Sequence, residues 1–338
     1  RAGSGTLLID PAVLPDLSAV GAVLEGVEWV LHAATQDLPC LADVGMRPTR
    51  LFDTELASRL AGLPRVGLAA AVEELLGLSL AKEHSAVDWS VRPLPEPWLR
   101  YAALDVEVLI DLRDALGAEL ERQGKLEWAR QEFEALVGFA PAGPRNDPWR
   151  RTSGMHRLRT RRQLAIVREL WNARDELARA QDVSPGRIIP DSSIVEAAMA
   201  QPAGRRALMA MSTFTGRGSR RYADVWADAV GRALELPEAD LPPPTLPAEG
   251  PPPARVWGDR DPAAAARLAR ARAAVAALAA QHTVPVENLL SPDVVRRLSW
   301  APPQPADEAA VRAFLAERGA RPWQIFLTAA ALAAALTG

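Results

Sequence analysis

The chain has 338 residues, which is more than one compact domain needs and predicts two or three domains. Its 49% hydrophobic and 24% charged residues fit a folded globular protein, and a net charge of −3 excludes a uniformly basic chain but not local basic patches. The single cysteine, Cys40, excludes an internal disulfide and a cysteine-based zinc site; we expect a buried, inert thiol in a cytoplasmic protein. Because no stretch reaches about 18 apolar residues, the sequence predicts no membrane span.

Strand patterns occur only in the first domain, residues 1–140. The short apolar runs TLLID (6–10) and EWVLHAA (28–34) predict buried strands. TRLFDTELASRLAGL (49–63) predicts an extended segment that becomes helical near Asp53, which can cap that helix.

Helix patterns alternate with these strands. GLAAAVEELLGL (67–78) has apolar residues at helical spacing and ends at a glycine, and residues 96–124 predict one long amphipathic helix from Pro97 to Gly124. Strands separated by helices are typical of an α/β layer fold.

Beyond about residue 155 the strand pattern disappears. Residues 157–236 predict a helical domain, residues 237–258 a proline-rich linker in extended form, and residues 259–338 a second helical domain. Both helical domains show the same order of helix, valine-containing turn, Ile-Ile or Leu-Leu pair and Pro/Asp helix start, which suggests a repeat. The sequence therefore predicts an α/β domain followed by all-α domains.

Three stretches of the first domain carry residues suited to chemistry. LHAATQDLPCL (31–41) places Asp37 soon after a predicted strand end at His32, and residues 84–98 are rich in Trp, Arg and Pro. WLRYAALDVEVL (98–109) contains Tyr-x-x-x-Asp, whose phenol and carboxylate project from one face of a helix.

These motifs, in this order, resemble the ribonuclease D family, in the DEDDy branch of the DEDD 3′–5′ exonucleases. HAATQDL resembles the second motif of the family with Asp37, and YAALD the third, with Tyr101 and Asp105. LWNARDELARAQDVSPGRIIPDSSIV resembles the HRDC domain, a nucleic-acid-binding module, and the last domain is similar to it more loosely. The resemblance implies an RNase H-like domain followed by helical HRDC domains.

The resemblance also implies a reaction and its participants. Two divalent ions, Mg²⁺ or Mn²⁺, would support hydrolysis that releases nucleoside 5′-monophosphates from RNA 3′ ends. Asp105 would bind one metal ion directly, Asp37 would hold the second, and Tyr101 would position the attacking water. The implied partners are RNA 3′ ends such as those of tRNA precursors; no membrane and no obligate protein partner are indicated.

One family motif has no clear counterpart. The first motif, Asp-x-Glu on a central strand, precedes the second, whereas Asp53-Thr54-Glu55 follows it and fits a helix cap better. We therefore expect the sequence to begin downstream of that motif, to lack the first strands of the sheet, and to be inactive as it stands. The alternative is a noncatalytic nucleic-acid-binding protein on a degenerate exonuclease scaffold; a DNA exonuclease also fits the metal ligands.

Several side chains have two interpretations at this point. His32 is expected to be a strand-end histidine, Trp89 and Trp98 to be core aromatics, and Arg92 either contacts phosphate or pairs with an acid. The candidate nucleic-acid contacts are arginines in two clusters of the first helical domain, which are otherwise solvated charges: Arg157 and Arg161, and Arg217, Arg220 and Arg221.

Overall fold

The structure is a computed structural model. It describes residues 5–14, 16–80, 87–139, 143, 146–246 and 250–337. The chain forms two compact units. One contains residues 1–141 together with residues 249–338, and the other contains residues 142–248. The division of the sequence into four parts stays a prediction, because compactness alone does not define domain boundaries.

A two-stranded parallel sheet lies in the first unit. Strand β1 (Glu28–Leu31) pairs with β2 (Arg50–Asp53), and Leu31 is aligned with Asp53. The second predicted strand is thus shorter than expected, because it stops before His32. The predicted strand at 6–10 is absent: this segment is irregular, and Leu7 is 87% exposed. A strand pattern needs a neighbouring strand, and the described residues offer this one none.

The described residues between 16 and 139 form seven helices in addition to the two strands. They are α1 (Ser18–Val23), α2 (Leu38–Asp43), α3 (Thr54–Ala61), α4 (Leu68–Leu76), α5 (Glu96–Glu107), α6 (Leu109–Arg122) and α7 (Leu126–Val137). Helices α3 and α4 confirm the helices predicted there, and α4 ends at Gly77 in the left-handed conformation. Residues 81–86, which include the start of the stretch rich in Trp, Arg and Pro (84–98), lie outside the described residues.

The long helix predicted for residues 96–124 is instead the two helices α5 and α6, separated at Val108. Helix α6 buries a stripe of leucines at helical spacing: Leu109, Leu112, Leu116 and Leu120. Helix α5 buries no residue completely. The break lets α6 follow its apolar stripe into the core while α5 keeps its polar face at the surface.

The second unit is helical. It contains α8 (Arg161–Gln181), α9 (Pro185–Ile188), α10 (Asp191–Ala200), α11 (Gly204–Met209), α12 (Arg217–Arg221) and α13 (Ala223–Glu235). Thr160 and Gln163 form a capping box at the start of α8, which confirms the helix predicted there. Leu170, Ile194 and Trp226 are fully buried in the core of this unit.

The last segment of the chain completes the first unit. Its helices are α14 (Trp257–Arg260), α15 (Pro262–His282), α16 (Val286–Leu289), α17 (Pro292–Trp300), α18 (Glu308–Glu317) and α19 (Pro322–Thr337). Its core is continuous with that of the first segment. Trp128 of α7 stacks on Trp323 of α19 at 4.8 Å between ring centroids, and Lys125 Nζ donates to the carbonyls of Leu60 (2.8 Å) and Thr283 (3.4 Å). No helix in the described ranges is long and apolar enough to cross a membrane.

The two helical regions share the local geometry that the repeat suggested. A 21-residue helix ends at a left-handed residue, Asp182 after α8 and Thr283 after α15, with φ of 51° at both. A four-residue helix and a further helix follow in each region. The turn at Thr283 is also where the last segment meets the end of α3.

A glycine substitution tests this contact. Gly62 and Gly77 end α3 and α4 with φ of 79° and 67°, but a Cβ at Gly62 would lie 2.7 Å from Thr283 Cγ2, whereas one at Gly77 would meet nothing within 4 Å. Gly77→Ala should lower the free energy of unfolding by about 1 kcal/mol, from left-handed strain alone. Gly62→Ala should lower it by about 3 kcal/mol, because overpacking adds to the same strain. Equal losses in urea denaturation would contradict the contact.

Candidate functional site

The candidate site lies where β1 and β2 end. His32 directly follows β1, and Asp53 is the last residue of β2. Because the strands are parallel and Leu31 is aligned with Asp53, both chain segments leave the sheet at the same edge. The polar residues that follow the strands are therefore brought together.

The buried carboxylate of Asp53 organises this edge. Its Oδ1 accepts from the backbone N–H of Glu55 (2.9 Å) and Leu56 (3.2 Å), which confirms it as the N-cap of α3. Across the sheet edge, Oδ1 also accepts from the N–H of Ala33 (3.1 Å), and Oδ2 accepts from the N–H of Ala34 (2.8 Å). Ala33 has φ of 61°, a left-handed conformation that a residue other than glycine adopts at a cost.

The sequence Asp53-Thr54-Glu55 therefore has a structural role in this chain. All four bonds to Asp53 come from backbone N–H groups, and Glu55 pairs with Arg59 on α3 at 2.6 Å. Both carboxylates are engaged within the protein. The expected helix cap is confirmed, and the expectation that these residues do not form the first motif stays a prediction.

Thr54, the first residue of α3, holds the ring of His32. Its ring Nδ1 lies 2.9 Å from Thr54 Oγ1, and Thr54 in turn donates to the carbonyl of Leu31 at 3.0 Å. Burial lowers the pKa of His32, although the negative charges of Asp53, Glu55, Asp37 and Asp105 raise it in part. The expected strand-end histidine is confirmed, and its ring lies within reach of the acidic residues.

Asp37 follows the turn that Asp53 holds. It precedes α2, but its side chain makes no capping hydrogen bond. Although the residue is exposed, displaced water raises the pKa of the Asp37 carboxyl, and the charge of Asp53 raises it further. Cys40 is exposed on the same helix, so the prediction of a buried thiol was wrong.

Tyr101 and Asp105 share one face of α5, as the spacing predicted. The Tyr101 hydroxyl donates to the Asp105 carboxylate, and both residues are half-buried. Burial raises the pKa of Asp105, and this hydrogen bond opposes the rise; burial also raises the pKa of Tyr101, with the Asp105 charge adding to it.

Two tryptophans lie beside Tyr101. Trp89 packs against Trp98 (5.6 Å between centroids) and Tyr101 (6.3 Å). Both tryptophans are half-buried and lie outside the hydrophobic core, so the prediction of core aromatics was wrong. They form an aromatic edge to the surface that carries the tyrosine.

His32 connects the two halves of the site. A positive charge on His32 would lower the pKa of both Asp37 and Asp105, whereas neither carboxyl shifts the pKa of the other. We use the name acidic cleft for the region that carries Asp37, His32 and the Tyr101–Asp105 pair, whose ionisable groups influence one another through His32. Sequence reasoning did not foresee the part played by His32 and Thr54; the available signal was a histidine five residues before Asp37, at the end of a strand.

The acidic cleft does not assemble a metal centre by itself. Within the described part of the chain, no three His, Cys, Asp or Glu side chains are placed to hold one ion together. Asp37 and Asp105, the two predicted metal ligands, are thus fewer than the oxygen ligands that Mg²⁺ or a two-ion site needs. Their metal-binding roles stay predictions.

The predicted nucleic-acid contacts differ in what already holds them. Arg92 makes a bidentate pair with Asp10, at 2.7 Å for both bonds, so acid pairing is the alternative that the structure shows. Arg157 pairs with Glu196 at 2.7 Å. Arg161 donates to the backbone carbonyls of Leu241 and Pro242, in the proline-rich segment.

The second arginine cluster is unpaired. Arg217, Arg220 and Arg221 line an open depression with Thr215, and among the described residues none of the three has an ion-pair partner. Arg221 lies over the Tyr222 ring, 5.3 Å from its centroid. A Cβ at Gly218 would lie 2.1 Å from the Ile188 carbonyl oxygen, so this close packing of α12 requires glycine.

Family models match three regions of the chain. Residues 1–121 match the 3'-5' exonuclease domain, residues 163–230 the HRDC domain, and residues 250–336 the 3' to 5' exonuclease C-terminal domain. These matches agree with the predicted RNase H-like domain followed by a helical HRDC domain. The last region, which we predicted as a second HRDC-like domain, matches a different model, and its HRDC character stays a prediction. The acidic cleft lies within the first matched region.

Individual proteins match across these regions. A ribonuclease D from Gluconacetobacter diazotrophicus is 33% identical over 89% of this chain and 76% of its own length. A protein from Bifidobacterium adolescentis aligns at a TM-score of 0.87 with 40% identity, covering 97% of this chain and 84% of that structure. Escherichia coli RNase D aligns at a TM-score of 0.62 with 27% identity, covering 86% and 74%. The chain spans only 57% of the length of other curated relatives that it matches.

Removal of one acidic charge from the cleft should stabilise the protein. The folded pKa of Asp105 lies above its ordinary value, so ionisation costs stability at pH 7, and this cost disappears as the pH falls through the folded pKa. Asp105→Asn should therefore raise the melting temperature at pH 7, with a gain that shrinks in acid. Asp111→Asn, at the exposed first turn of α6, should give no gain. A lower melting temperature for Asp105→Asn at pH 7 would contradict an ionisation cost.

Proposed function

The chain belongs to the ribonuclease D family, and on that premise we propose that it acts in 3′–5′ exonucleolytic removal of nucleoside 5′-monophosphates from RNA. The observation that carries the proposal is the acidic cleft, in which the Asp37 turn and the Tyr101–Asp105 pair meet at His32. Hydrolysis of a terminal phosphodiester needs acidic groups and a hydroxyl around one space, and the grouping of these residues supports the proposal.

Each residue has a definite task in this proposal. The Tyr101 hydroxyl donates a hydrogen bond to Asp105, so its oxygen lone pairs are free to accept a hydrogen bond from the attacking water and orient it. Asp37, before α2, and Asp105, on α5, provide negative oxygen ligands. Mg²⁺ or Mn²⁺, two ions in the complete family site, would supply charge neutralisation there.

We also propose that this chain, as given, does not turn over RNA. The described residues bring two cleft carboxylates together with His32, which is fewer ligands than a pair of divalent ions requires. The same observation favours a second candidate function, that of a noncatalytic nucleic-acid-binding protein on an exonuclease scaffold. Both candidate functions use the same surfaces to bind RNA. They differ in whether further carboxylates are present to complete the metal site.

RNA is the proposed partner, with tRNA precursors and other structured RNAs as the expected substrates in the cytoplasm. The E. coli relative is described as an exoribonuclease involved in structured RNA processing. The unpaired cluster of Arg217, Arg220 and Arg221 is the proposed phosphate contact of the HRDC unit, because free guanidinium groups bind phosphate without first losing a partner.

An incubation with 3′-labelled RNA tests the activity of the chain. In Mg²⁺ or Mn²⁺ we expect the RNA to remain intact, while a gel-shift measurement on the same sample detects binding. Metal-dependent release of nucleoside 5′-monophosphates, abolished by Asp105→Ala, would show that the cleft is complete and would contradict the proposed inactivity. A chain that neither binds nor cleaves RNA would contradict both candidate functions.

A pair of double substitutions tests the arginine cluster. Arg217→Ala with Arg220→Ala should weaken RNA binding and reduce the slope of log affinity against log salt by about two, one for each lost phosphate contact. The matched control is Arg179→Ala with Arg205→Ala, which removes the same charge from exposed arginines paired with Asp175 and Asp224. The control should leave the slope nearly unchanged. Equal effects of the two double variants would reject a specific role for the cluster.

A further inference from the structure

The hydrogen bonds around His32 fix which of its ring nitrogens carries a proton. Thr54 has one hydroxyl hydrogen, and it is donated to the carbonyl of Leu31, which can only accept. The 2.9 Å bond between Thr54 Oγ1 and His32 Nδ1 therefore requires an N–H at Nδ1. In the neutral ring, Nε2 then has a free lone pair and acts only as an acceptor.

This lone pair lies on a half-buried ring at the sheet edge that carries the candidate site. Among the described residues no hydrogen bond is made to Nε2, and the same atom is not among the fully buried ones that lack a partner. The groups whose charges act on the ring include the carboxylates of Asp37 and Asp105, which are also acceptors. The Tyr101 hydroxyl already donates its hydrogen bond to Asp105. The cleft thus presents acceptors and lacks a matching donor among these side chains.

We propose that His32 Nε2 accepts a hydrogen bond from a ribose hydroxyl of the nucleotide that occupies the acidic cleft, and so favours RNA over DNA. The inference rests on the proposed function and adds a residue that contacts substrate. A ligand that covers a half-buried acceptor must bring a donor, or the lost hydration lowers its affinity. Amino groups differ from base to base, whereas every ribonucleotide brings a 2′-hydroxyl. The 3′-hydroxyl is also independent of the base, but DNA carries it as well, so only a bond from the 2′-hydroxyl favours RNA.

The position of the proton is measurable without substrate. Two-bond ¹H–¹⁵N correlation spectra at about pH 8, where histidine is neutral, distinguish the two tautomers, and the chain has only four histidines. We expect His32 in the Nδ1–H form, retained in Thr54→Ser and shifted toward the Nε2–H form in Thr54→Val, which lacks the hydroxyl. An Nε2–H ring in the unsubstituted protein, or no difference between the two variants, would overturn the inference.

Two substitutions of His32 separate its ring nitrogens. Asparagine places an amide near Nδ1 and no acceptor at Nε2, whereas glutamine can place its carbonyl oxygen near Nε2. The unsubstituted protein should bind adenosine 5′-monophosphate about five-fold more tightly than its 2′-deoxy analogue, the value of one neutral hydrogen bond. His32→Asn should lose this preference, and His32→Gln should keep most of it.

The outcome of the titration distinguishes two failures. If the nucleotide shifts amide signals of α2 and α5, but the ribose and deoxyribose forms bind equally well, the His32 inference is wrong and the proposed function stands. If preference remains in His32→Asn, the inference is also wrong. If neither nucleotide shifts any amide signal of the cleft, with Mg²⁺ or without it, the inference and the nucleotide-binding cleft both fail.

Discussion

The carboxylate of Asp53 is the interaction on which the candidate site depends. It accepts four backbone N–H groups, two from the start of α3 and two from the turn after β1. Charge-assisted bonds of this kind can hold Ala33 in its left-handed conformation, which two four-residue strands could not enforce alone. The turn separates His32 from Asp37, so a single buried side chain sets the direction of both.

The pKa shifts in the cleft have one shared first cause. Loss of hydration raises the pKa of Asp37 and Asp105 and lowers that of His32, so each group resists the charge that it would carry in water. Such an arrangement is unfavourable for stability and is typical of a site prepared for a ligand. A bound cation or hydroxyl donor would offset this loss of stability. Binding and the stability of the cleft are therefore linked.

Local patterns allowed some of these features to be predicted. Tyr101 and Asp105 follow from helical spacing, and Asp53 follows from its position before a helix, because both depend on neighbours along the chain. The strand at 6–10 was predicted wrongly because a short apolar run indicates a strand but does not specify its partner. The tautomer of His32 depends on Thr54, 22 residues away, and on the alignment of two strands, so no sequence window contains it.

The arginines show the same limit in electrostatic form. In the sequence, all the candidate arginines look equally able to bind phosphate. In the structure, Arg92, Arg157 and Arg161 already bond to a carboxylate or to backbone carbonyls. A phosphate that recruits one of them must replace that bond, so the net gain is small. Among the described residues, Arg217, Arg220 and Arg221 have no carboxylate partner that a phosphate would have to replace. The close approach of Gly218 to Ile188 keeps α12 near α9. Phosphate binding there gains the full charge-assisted bond, which makes the unpaired cluster the stronger candidate for holding RNA.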